Sequence, residues 1–133
     1  MAEKLKFIIP GRPEYMTMVR LAIGSVADVA GFNYEDMEDI KTAVGEACKM
    51  ITCHGYTGWA EEYTLECVVE DGCLEIYVTD TSTHHNMEKT GRMCADCPNE
   101  GDLGIFVIKT LMNQVELINN PEGKKTIKMV KRK

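Results

Sequence analysis

Two β-rich runs, "YTLECVVE" over 63–70 and "CLEIYVTD" over 73–80, are separated by the dipeptide "DG" alone. Asp-Gly between such runs is the strongest short-range hairpin signal, because glycine supplies the positive φ that a two-residue connection needs. The pair must be antiparallel. A lone hairpin is at best marginally stable in water, so it needs more strands or helices packed against it.

The chain supplies both. "KLKFII" alternates polar and apolar residues and stops at "PGRP", which predicts a first strand ended by a Pro/Gly turn. From Tyr15 onward Met16, Val19, Ile23, Val26 and Ala30 recur at three- and four-residue steps, and Gly31 sits where a helix stops. Asn33 offers a capping side chain for a second helix, with Glu35 and Asp36 in its first turn. Met37, Ile40, Val44, Ala47 and Ile51 form its apolar stripe, and it is expected to run to about Cys53. "DLGIFVIKTLMNQV" resumes helical spacing through Leu103, Val107, Leu111 and Val115; "ELINN", the "NPEG" turn and "KKTIKMV" predict a closing hairpin. Between them, residues of about 81–100 show no period and few large apolar groups, and a stretch of that length inside a compact domain reads as a lid. The predicted class is α+β: a two-layer α/β sandwich, a mainly antiparallel sheet with helices on one face. Residues 1–133 are expected to form one domain, long enough to bury about two thirds of the surface of the unfolded chain.

Composition narrows the function classes. A net charge of −6 without a long Lys/Arg run gives no electrostatic footprint for nucleic acid or an anionic membrane. "MAEKLKFIIP" lacks the apolar stretch of a signal peptide, and nothing approaches the roughly 20 apolar residues of a membrane span. A cytoplasmic protein is expected, and its six cysteines are then reduced thiols, with Cys48, Cys53, Cys67 and Cys73 packed in helices and strands. The nine methionines read as adaptable core filler.

Three features bear on chemistry. Glu46 stands one turn before Met50 on the second helix, and the small residues Ala43, Gly45 and Ala47 suggest room for a ligand beside it. A carboxylate so placed can act as a general base, although helical carboxylates are by default solvated surface groups. Asp80 ends a strand at the mouth of the long loop, where an acceptor-only group can take a hydrogen bond from the exocyclic amine of a base; the plain alternative is a turn residue. Gly101, Leu103 and Gly104 lie in "EGDLGIF", opening the third helix with free N–H groups that suit phosphate.

Taken in this order, with "VRLAIGSVADVAGF", "EDMEDIKTAVGEAC", "HGY", "LEIYVTD", "EGDLGIFVIKTLMNQVEL" and "TIKMVK", the chain resembles the anti-sigma regulatory factors and anti-sigma serine kinases of the GHKL, or histidine kinase-like, ATPase superfamily over nearly its whole length. The resemblance implies an ATP/ADP site with Mg²⁺ under a mobile lid. Glu46 matches the catalytic base that activates a partner's serine, Asp80 the adenine-reading residue, and Thr126 its support. Gly101 and Gly104 match the phosphate-side glycines, and Arg20 matches a position on the partner-binding face. It further implies a homodimer that holds a sigma factor and phosphorylates an anti-anti-sigma factor, with no direct nucleic-acid or membrane partner.

Two positions depart from the family. Met50 replaces the asparagine whose amide oxygen holds Mg²⁺, and a thioether is too soft a donor for that ion. Ser82 stands where a glycine is expected in the nucleotide loop, losing access to positive φ. A kinase weakened in metal use is therefore expected. Lys49, beside Met50, is turned about 100° away on an ideal helix and is not expected at a phosphate. Two alternatives stand beside this reading: a protein-binding module without nucleotide, and a lid that senses metal or redox state. The latter rests on the C-x-x-C pair Cys94 and Cys97 with His84 and His85 upstream as candidate zinc ligands, Cys53 and His54 being a minor further pair.

Overall fold

The computed structural model describes residues 2–51, 62–80, 103–119 and 125–133. Within them the elements run β1 (Glu3–Pro10), a short 3-10 turn at Pro13–Tyr15, α1 (Met16–Val29), α2 (Tyr34–Ile51), β2 (Glu62–Glu70), β3 (Cys73–Asp80), α3 (Leu103–Leu111), β4 (Gln114–Asn119) and β5 (Lys125–Arg132). Element types and order are those the periodicity predicts. The expected lid, Ser82, His84, His85, Cys94, Cys97, Gly101, Cys53 and His54 lie outside the described residues.

All five strands form one antiparallel sheet in the order β1-β2-β3-β5-β4. Gly72 closes the β2–β3 hairpin at φ +75°, while Glu70 pairs with Cys73. Alternation then sorts the side chains. Leu65, Cys67, Leu74, Ile76, Val78, Ile127 and Met129 are wholly buried on the face that the helices cover. The opposite face carries a cross-strand row of Lys6, Glu66, Tyr77, Lys128 and Glu116, with unlike charges on neighbouring strands at both ends.

Helix α2 is the centre of the helical layer, packed against α1 on one side and α3 on the other, and touching β3 and β5 beneath. Its start is capped as expected, with the Asp36 amide donating to Asn33 Oδ1 at 2.8 Å. α1 ends at Gly31, whose φ of +89° lets the Phe32 amide reach back to the Ala27 carbonyl. The predicted stripes of α1 and α2 face the core, Met37 only in part.

α3 corrects the sequence reading. Its buried face is Ile105, Ile108 and Met112, whereas Leu103 is 78% exposed, and Val115 lies in β4. "LGIFVI" is apolar on every side of a helix, so spacing alone does not select the inward stripe.

Candidate functional site

Glu46 and Met50 lie four residues apart on α2 and therefore point the same way. α3 meets them there. A Cβ added to Gly104 would lie 2.8 Å from Met50 Sδ and 3.6 Å from Glu46 Oε2, so the bare glycine is what lets the first turn of α3 approach this close. The early N–H groups of α3 have no partner within the helix, which brings donors and the positive helix end beside the Glu46 carboxylate. Lys49 joins the group through an i,i+3 contact, its Nζ 4.0 Å from Glu46 Oε1, so its side chain bends back further than the ideal helical angle suggests.

Magnesium does not fit this junction as the resemblance would have it. The facing donors on α2 are one carboxylate and one thioether, where Mg²⁺ demands oxygens in near-octahedral array. No cluster of three or more His, Cys, Asp or Glu suited to a metal occurs among the described residues.

Ala43 and Ala47 do not provide room for a ligand: both are wholly buried, their methyls turned into the core. Gly45 has an occupant of its own. The Arg20 side chain of α1 lies across it, 3.2 Å at Nε from where a Cβ would stand. Arg20, Thr42, Gly45, Glu46 and Lys49 line a single groove between α1 and α2. Sequence spacing gave no hint that Arg20 and Glu46 share a wall, since the contact depends on how α1 packs on α2.

Asp80 is fully buried at the end of β3, paired in register with Tyr63 of β2. Thr126 does not lie on its side of the sheet. Thr126 is paired with Thr79, their hydroxyl oxygens 2.9 Å apart, so both face away from the helices while Asp80 faces toward them. The residue of β5 that the register carries opposite Asp80 on that face is Lys125, 6% exposed. Period-two alternation counted back from Ile127 and Met129 is the signal that finds it.

Cys48 and Cys67 are buried packing groups. Burial pushes both Cys48 and Cys67 up to about 12, against an opposing hydrogen bond with Tyr63 at Cys48. Neither presents a thiolate near neutral pH. The phenol of Tyr63 is likewise raised by burial, with its hydroxyl 3.9 Å from Met16 Sδ.

Comparison with known proteins agrees with this architecture. The family model for the histidine kinase-like ATPase domain matches residues 9–131. The serine-protein kinase RsbW of Listeria monocytogenes serovar 1/2a is 34% identical over 126 residues, covering 88% of this chain and 80% of that protein. RsbW of Bacillus mycoides is 35% identical over 126 residues, covering 89% and 79%. Among solved structures, the RsbU and RsbW domains of Rv1364c from Mycobacterium tuberculosis superpose with a TM-score of 0.67 at 18% identity, over 98% of this chain and 32% of that one. A chain of the SiaB-SiaC complex from Pseudomonas aeruginosa gives 0.69 at 11% identity, over 95% and 88%. At such identities the two structures speak for the fold. The chain belongs to the histidine kinase-like ATPase domain family, with serine-protein kinases of the RsbW type among its relatives.

Proposed function

We propose that this protein is an anti-sigma regulatory factor that binds adenine nucleotide between α2 and α3 and controls transcription by partner switching, with a serine kinase activity weakened at Met50. The observation that carries the reading is the position of Glu46. Its carboxylate abuts Gly104 at the start of α3 and also lines the groove that holds Arg20. A partner's serine seated in that groove would meet a base on one side and anion-binding amides on the other.

Each group then has a defined task. Glu46 accepts the serine proton. The early amides of α3, at Leu103 and Gly104, orient phosphate oxygens, and Gly101 belongs to the same stretch. Asp80 accepts from the exocyclic amine of the base, with Ser82 two residues on in the sequence. Arg20 engages the partner, whether a sigma factor or an anti-anti-sigma factor. Bound ATP would supply the phosphoryl group. The relatives named serine-protein kinases support this assignment. A cytoplasmic homodimer completes the proposal. No described helix is long and apolar enough to cross a membrane.

Met50 favours a second reading in which phosphoryl transfer has been lost and only grip on partners remains, because its thioether stands at the start of α3, with Sδ 2.8 Å from where a Cβ on Gly104 would lie, and offers no hard oxygen for Mg²⁺. Calorimetric titration with ATP and ADP, with and without Mg²⁺, combined with transfer of labelled phosphate to the cognate antagonist, separates the two. The expected result is nucleotide binding that depends little on Mg²⁺, together with transfer at least about tenfold slower than in a Met50→Asn variant, the scale on which metal-site defects act. Equal, robust, Mg²⁺-dependent transfer by both proteins would overturn the weakening. Absence of any nucleotide binding would leave only the protein-binding module.

A further inference from the structure

Alternation along β5 puts a lysine where an apolar side chain is expected. Ile127 and Met129 follow Lys125 on the helix-facing side and are wholly buried, and Lys125 is itself 6% exposed. Its Nζ is closed to solvent and has no hydrogen-bond partner among the described residues. A lysine whose only need was hydration would extend its flexible stem and keep its ammonium in water. A buried charge lacking an acceptor is costly, and such groups in native proteins call for an explanation, a ligand that completes them being one.

The register shows what that ligand would meet. Thr79 pairs with Thr126, and one further step sets Asp80, the last residue of β3, opposite Lys125, the first of β5. Directly opposed residues share a face, with Cβ atoms about 5 Å apart. An acceptor-only group and a donor-only group therefore stand side by side at the same end of the sheet. Adenine presents the complementary pair on one edge, a donor at the N6 amine and an acceptor at N1. Hypoxanthine and guanine reverse both, with an acceptor at O6 and a donor at N1, so either would face two mismatches.

We infer that Lys125 is a second base-reading residue, donating to adenine N1 while Asp80 accepts from N6; this rests on the nucleotide binding proposed above. Lys125 converts a one-point contact into a two-point one and makes selection for adenine stricter than a carboxylate alone provides. The role also accounts for an ammonium kept in a row of core residues.

The test is equilibrium binding of ATP, 1-deaza-ATP and ITP to the full chain and to Lys125→Met. The analogue 1-deaza-ATP carries CH in place of N1 and leaves the N6 amine for Asp80. Wild type should bind ATP about tenfold or more tighter than 1-deaza-ATP, the range for a hydrogen bond to a charged group, whereas Lys125→Met should bind the two within about twofold. The preference for ATP over ITP should narrow about tenfold in the same variant. Methionine is close to lysine in length and keeps the packing of the stem, and a cooperative thermal transition of the variant shows that the fold survives the change. A variant that binds ATP with an undiminished 1-deaza penalty overturns the role of Lys125 while nucleotide binding stands. A wild-type chain that binds no ATP overturns both.

Discussion

The contact between α2 and α3 can be tested by putting back the atom that Gly104 lacks. Gly104→Ala has two opposed effects. Alanine in place of glycine within a helix stabilises by about 0.5–1 kcal/mol. Against that, the new Cβ would stand 2.8 Å from Met50 Sδ and 3.4 Å from its Cγ, closer than carbon and sulfur tolerate. Methionine is flexible, so relief comes from turning its side chain off its preferred rotamer or shifting α3 slightly, at about 0.5–1.5 kcal/mol. The sum in wild type lies between about 0.5 kcal/mol of stabilisation and about 1 kcal/mol of destabilisation. Met50→Ala removes the obstacle, and in that background Gly104→Ala should stabilise by about 0.5–1 kcal/mol. Urea unfolding of the four proteins in this cycle gives the coupling directly, expected at about 0.5–1.5 kcal/mol for residues in contact. Additivity within about 0.3 kcal/mol would show that Met50 and Gly104 do not meet, and the shared junction with Glu46 would fall with them.

Two further outcomes follow from the fold. Cys48 and Cys67 are held up to about 12 by burial, against 9.0 for a free thiol; unfolding releases protons from them above pH 9. The stability they confer is therefore complete below about pH 9 and lost as pH rises toward 12, by about 1.4 kcal/mol per pH unit for each thiol. Urea midpoints between pH 8 and 10.5 should fall less steeply in Cys67→Val than in wild type, and equal slopes would contradict the burial argument. Asn33→Ala should cost about 1 kcal/mol in thermal unfolding, because the Asp36 amide loses its acceptor; no loss would mean that the cap contributes nothing.

Much of the architecture was legible in the sequence because short-range rules decide it. Asp71-Gly72 between two β-rich runs specifies a hairpin, and Asn33 followed by Glu35 and Asp36 specifies a helix start, with no need of distant residues. The misses arise where local pattern is degenerate or where the deciding contact is remote. "LGIFVI" has no polar side to define its inward stripe. The family resemblance implies Thr126 as the support of Asp80, whereas strand parity places Lys125 there. Arg20 on Gly45 and Met50 on Gly104 join positions 25 and 54 residues apart, and no period in the chain encodes either contact.

These departures bear on one another through the nucleotide. Discrimination between ATP and ADP depends on what the protein and its cation do at the terminal phosphate, and Met50 offers that cation a soft sulfur beside the single carboxylate of Glu46. In the proposed site, recognition of the base would depend instead on β3 and β5, where Lys125 would supply a second contact opposite Asp80. A site strengthened at the base and weakened at the phosphate binds ATP and ADP with similar affinity. Nucleotide bound in that way stabilises the fold and the groove between α1 and α2 by mass action, with little dependence on whether a phosphoryl group is present to be transferred. Partner exchange would then respond to the concentrations of the partner proteins more than to the ratio of ATP to ADP. A Kd ratio between the two nucleotides that stays within about threefold when Mg²⁺ is added follows from a cation without its oxygen ligand, whereas a ratio opening to about a hundredfold would require a metal site that Glu46 and Met50 cannot form.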